Sequence, residues 1–181
     1  MKRLNAILAM TAILLFVVHG VLGTLLMTNI APILLKSLSH AFLAVVGVHV
    51  LISIGYTVHS LSVARKTHAP YFRENRLFWS RRISGFAVAA LMVFHFFAFT
   101  DHGSSTFQLV PFDMFRLITQ LLFLSAVAVH IISNLKPLLI SFGARKIKTN
   151  SGMILFVLSA ALLFMAAGFI IYYIRWQMKA V

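Results

Sequence analysis

Five long apolar runs, separated by short polar stretches, constrain this chain more than any other feature. They cover about residues 4–28, 37–63, 83–100, 114–135 and 153–174. A hydrocarbon layer about 30 Å thick is crossed by roughly 20 helical residues rising 1.5 Å each. Inside lipid, backbone amides must bond within a helix or a closed barrel. A barrel needs alternating strands of about 10 residues, and no such alternation occurs. The expected fold is therefore all-α: an integral membrane bundle of five transmembrane helices, forming one membrane domain over 1–181. Turn and loop chemistry fills the separators at 29–32, 67–75, 101–105 with Pro111, and 136–152. The first run exceeds 20 residues and lacks a clear small-x-small cleavage site, so it reads as a retained helix. Neither an internal repeat nor a low-complexity segment is present.

Composition agrees. The chain is 61% hydrophobic and 10% charged, against about 45–50% and 25% for soluble domains, which excludes a soluble monomer. The absence of cysteine excludes a disulfide framework, thiolate zinc sites, iron–sulfur clusters ligated by this chain and cysteine-attached haem. Lys and Arg total 16 against 3 Asp and Glu, for a formal charge of +13. These cations sit between the apolar runs and do not form a stripe, so no nucleic-acid partner is expected. Lys2, Arg3, Arg65, Lys66, Arg73, Arg76, Arg81, Arg82, Arg145, Lys146 and Lys148 fall on one side. Lys36, Arg116, Arg175 and Lys179 fall on the other, with Asp101 and Asp113. The positive-inside bias then predicts a cytoplasmic N-terminus and an outer C-terminus, in a multi-pass protein of the cell (inner) membrane.

Six of the eight histidines, His19, His40, His49, His59, His95 and His130, fall within or at the ends of the runs; His68 and His102 fall in loops. Ionisable groups in lipid are costly and usually face the bundle interior, where they mark a functional path. The plain alternative is an imidazole bonded to a neighbouring helix. One deep histidine on each of four successive helices favours the first reading. Paired neutral imidazoles suit b-type haem, whose iron takes two axial nitrogens from facing helices. Structural zinc lacks nearby carboxylates or thiolates, and no acidic residue lies at a span centre to support a proton relay.

Depth suggests the pairs. His19 lies about 24 Å along its helix from Arg3, and His95 about 20 Å from Arg82, so they could share one haem on the outer side. His49 and His130 would hold the second. His130 is about 9 Å from Lys136, but about 22 Å from Arg145 if helix four continues inward. His59, about 9 Å from Arg65, is the alternative helix-two ligand; it differs from His49 by about 280° around the helix. Gly20, Gly23, Gly47, Gly55 and Gly85 allow close approach of a macrocycle or of another helix. Phe94, Phe96, Phe97 and Phe99 read as lipid-facing or packing groups. Tyr172, Tyr173 and Trp176 read as an interfacial belt.

Two local patterns carry a resemblance. Tyr71-Phe72-Arg73 is followed by Arg82-Ile83-Ser84-Gly85, with His95 coming 13 residues after Arg82; His130 is followed by Ser133-Asn134 and Gly143. The chain resembles the single-chain dihaem cytochrome b anchor of the succinate dehydrogenase and fumarate reductase family over most of its length. The resemblance implies that His19 and His95 hold the distal haem and His49 and His130 the haem nearer the cytoplasm. It also implies a flavoprotein and an iron–sulfur subunit on the basic cytoplasmic side, with menaquinone or ubiquinone as the membrane substrate. The dicarboxylate chemistry would belong to the partners. Arg81, Arg82 and Ser84 are candidate contacts to propionates or to the iron–sulfur partner, or simply mark topology. His40 could meet a propionate or quinone, or snorkel to the interface. Two other functions are open: a dihaem subunit of a hydrogenase, formate or nitrate enzyme, and a haem-free transporter or assembly protein.

Overall fold

The structure, a computed structural model, describes residues 2–28, 35–67, 76–99, 111–143 and 147–179. These form α1 (Lys2–Met27), α2 (Leu35–Thr67), α3 (Arg76–Phe99), α4 (Met114–Ser141) and α5 (Ile147–Lys179). All five are long and apolar enough to cross a membrane, and the described residues contain no strand. The all-helical, multi-pass membrane character expected from the sequence is thus present. His68, His102 and the Tyr71-Phe72-Arg73 stretch lie outside the described residues.

Most of the helices outrun their apolar cores. At 24 to 33 residues each, they reach roughly 36–50 Å. Once a turn is formed, each further residue adds a backbone bond, so polar flanks extend the helix towards the interface. Hydroxyls inside the spans bond back to their own helix: Thr24 to Gly20 O at 2.8 Å, Thr57 to Ser53 O at 2.7 Å and Ser60 to Tyr56 O at 2.7 Å. This satisfies them without water.

The clearest departure from the sequence reading is in α4. Asp113 caps its start, accepting from the Arg116 backbone N–H at 2.8 Å. The segment from residue 136 was expected to be loop, yet the helix runs through Pro137 to Ser141. Proline lacks the N–H that would bond the carbonyl four residues earlier, here Ser133. That same carbonyl accepts from Arg81 Nε of α3 at 2.9 Å. The helix therefore continues past the proline because a neighbour supplies the missing donor. It ends at Gly143, whose φ of 72° suits a residue without Cβ, and whose N–H donates to Ile140 O at 3.0 Å.

Helix α4 forms the centre of the bundle. It contributes nine buried residues and packs on α3, α5 and α1; α1 packs in turn on α2 and α5. A Cβ at Gly20 would strike the Met165 side chain, and one at Gly168 would meet Thr24 Cγ2 at 2.5 Å. These glycines thus bring α1 and α5 together. At the far end of α1, Arg175 of α5 donates from Nη1 to Met27 O at 2.9 Å, satisfying a carbonyl that the helix end leaves open.

An aromatic cluster closes the same end. Phe99, Phe112 and Phe169 stack with centroids 5.8 to 6.4 Å apart. Tyr172 sits 5.1 Å from Phe112 and 6.2 Å from Trp176. Tyr172 is only 3% exposed, which corrects its place in an interfacial belt. Tyr172 lies within α5, and its ring packs on Phe112, which precedes α4. Phe94, Phe96 and Phe97 are exposed, as lipid-facing groups should be, whereas Phe99 belongs to the core.

Candidate functional site

Four helices surround a cavity of about 950 Å³, and α5 closes part of it with Met165 and Phe169. Five imidazoles line it: His19 from α1, His40 and His49 from α2, His95 from α3 and His130 from α4. His59 is exposed and does not line it. The ligand helices thus bring His19, His49, His95 and His130 to one space, while the alternative His59 stays outside. The inward continuation of α4 also places His130 well inside its helix, as the pairing with His49 requires.

His19 and His95 form one pair. Their ring centroids are 6.2 Å apart and the planes meet at 72°. Two metal–imidazole bonds of about 2.0 Å in line, plus the ring radius on each side, would put centroids about 6 Å apart. The observed spacing therefore fits one metal held between the rings. His19 Nδ1 lies 3.2 Å from Ser39 Oγ of α2, and His95 Nδ1–H donates to Gln120 Oε1 of α4 at 2.7 Å. Aromatic rings crowd the pair: Phe42 is 5.6 Å from His19, and Phe99 and Phe123 are 5.3 and 5.1 Å from His95.

His49 and His130 line the same cavity. Ser84 Oγ lies 3.2 Å from His130 Nδ1. Ser84 Oγ also lies 3.2 Å from Arg81 O of its own helix. Gly85 lies beneath this ring: a Cβ there would stand 3.2 Å from His130 Cε1, tight enough to push the imidazole away. Ser133 Oγ and Asn134 Nδ2 donate to the His130 carbonyl at 3.1 and 2.7 Å. The buried His49 Nδ1 has no hydrogen-bond partner.

Three of the four imidazoles therefore have Nδ1 latched to a side chain from another helix. Metal-bound histidines are held in this way, since the second nitrogen fixes the tautomer and the ring direction. Among the described residues, no three His, Cys, Asp or Glu side chains come together to hold a bare ion. His19 and His95 face each other in an apolar space, and a pair of neutral imidazoles fits iron porphyrin.

No family model, curated protein or solved structure matches this chain.

The remaining candidates divide. Arg81 and Arg82 both line the cavity; Arg81 also ties α3 to α4 through Ser133, and the Arg82 guanidinium sits 4.9 Å above the Phe78 ring. Ser84 does not line the cavity; it acts through His130. His40 lines the cavity from an exposed position on α2. Of the small residues, Gly85 makes the close approach to a ligand histidine, Gly20 serves helix packing, and a Cβ at Gly23, Gly47 or Gly55 would meet nothing within 4 Å. The sequence reading missed Ser39 and Gln120. Gln120 did leave a signal, as an amide inside an apolar run.

Proposed function

We propose that this chain is the dihaem cytochrome b anchor of a succinate:quinone or fumarate:quinol oxidoreductase. The observation that carries the reading is the His19–His95 pair, spaced for one metal and lying in the same apolar cavity as His49 and His130. His19 and His95 would hold the outer haem, and His49 and His130 the inner one. Bound there, iron porphyrin supplies a reversible one-electron centre whose potential the protein tunes through ligation, charge and burial.

The chain's own residues do the rest. Ser39, Gln120 and Ser84 hold Nδ1 of three of these imidazoles, leaving each Nε2 as the nitrogen that would meet iron. Gly85 leaves room for the His130 ring. Arg81 and Arg82 place cations at the inner end, where propionates or an acidic partner surface would be met. Phe42, Phe99 and Phe123 keep water from the outer pair. The basic residues concentrated between alternate spans support a cytoplasmic N-terminus and an outer C-terminus. The flavoprotein and iron–sulfur subunits dock on that basic side. Electrons then move between dicarboxylate at the flavin and quinone in the inner membrane.

The purified chain is expected to give a reduced-minus-oxidised spectrum of b-type haem, at two haems per polypeptide. A colourless, folded preparation would end the reading in favour of a haem-free membrane protein. Mild solubilisation separates the remaining alternatives. A co-purifying flavoprotein supports the anchor, whereas molybdenum or nickel subunits would assign the chain to a formate, nitrate or hydrogenase complex.

A further inference from the structure

Gln120 is completely buried within an otherwise apolar turn of a transmembrane helix. Carrying an amide into such an environment costs several kcal/mol for each polar atom left unbonded. Its Nε2 is one such atom, buried without a hydrogen-bond partner. Its neighbour Thr119 illustrates the cheaper solution, returning its hydroxyl to Arg116 O of the same helix at 2.9 Å. Gln120 instead reaches across to α3, where Oε1 accepts from His95 at 2.7 Å. A carbonyl oxygen can only accept, so the imidazole must carry its proton on Nδ1 and its lone pair on Nε2. His95 lines the cavity but Gln120 does not. Whatever the amide does for a bound group, it therefore does through the ring.

We propose that Gln120 is a positioning residue that holds His95 in its Nδ1–H tautomer, with Nε2 free for a metal in the cavity. The metal it serves rests on the dihaem reading above; the tautomer does not. Accepting a hydrogen bond from a ligand imidazole raises its basicity, which favours the oxidised metal and lowers its midpoint potential.

The test uses the full-length chain in lipid nanodiscs with ¹⁵N-labelled histidine, prepared both without and with haem. In the haem-free chain, the His95 ring resonances, assigned by difference from His95→Leu, are expected to report one Nδ1–H tautomer. Gln120→Leu is expected to give a mixture. In the haem-loaded chain, Gln120→Leu should shift the outer midpoint upwards or deplete the outer haem, leaving the inner one unchanged. Thr119→Val should alter neither. An Nε2–H tautomer in the unsubstituted chain would overturn the proposal even if Gln120→Leu failed to fold, and so would a Leu variant unchanged in both readouts. If the unsubstituted chain takes up no haem, the dihaem reading fails, while the nitrogen resonances still decide the role of Gln120.

Discussion

The two ends of the cavity are built from the same ligand type but set in opposite surroundings. At the outer end, His19 and His95 lie among Phe42, Phe99 and Phe123, with neutral partners on both Nδ1 atoms. At the inner end, His49 and His130 share the cavity with Arg81 and Arg82, and one Nδ1 has no partner. A bis-imidazole haem core gains a positive charge on oxidation, so nearby cations favour its reduced form and raise its potential. A strong acceptor on Nδ1 works in the other direction. With haem bound at both pairs, both effects would set the His49–His130 centre above the His19–His95 centre.

The severest challenge to this contrast is removal of a single ligand. His95→Ala should halve the haem bound per polypeptide and abolish the lower-potential step, as measured by haemochrome assay and redox titration. Loss of both haems together would show that the pairs are not independent. Gly85→Val comes next. Its side chain would crowd His130 at a cost of about 1–3 kcal/mol, so inner haem retention during detergent washing should fall about tenfold, with the outer haem untouched. Arg82→Gln sharpens the comparison more gently. Taking one cation from the inner end should lower the inner midpoint by on the order of 60 mV, one decade for a one-electron couple. His59→Ala should change neither haem content nor either midpoint; a lost haem there would move the inner ligand to His59 and break the pairing.

Much of this architecture was legible in the sequence, because lipid permits few solutions to the backbone problem. The apolar runs located the five helices, and histidines in lipid stood out as groups that need a reason to be there. Helix ends were less legible. The run count stopped α4 before Lys136 and Pro137, since the donor that carries the helix onward comes from Arg81, 52 residues away along the chain. Tyr172 was misplaced for a related reason: its cluster of Phe99, Phe112 and Phe169 gathers only when three separate segments meet. Sequence distance likewise hides the latches. Ser39 and Gln120 sit 20 and 25 residues from their imidazoles, and only the packing of helices makes them neighbours. His49 against His59 was a question of which face of α2 looks inward, and the polar residues of α2 fall on several faces, so periodicity does not answer it.

The bond from Arg81 to Ser133 bears on how the bundle is assembled in the bilayer. Alone in lipid, α4 would expose the bare Ser133 carbonyl, and the Arg81 guanidinium of α3 would lack this acceptor. Each defect is mended by the other segment, so insertion favours the third and fourth helices as a hairpin that mates early. That hairpin already contains His95 with Gln120 and His130 with Ser84, half of each bis-imidazole clasp. Helices one and two would then arrive as the closing jaw, which gives a flat prosthetic group a way in before the bundle shuts.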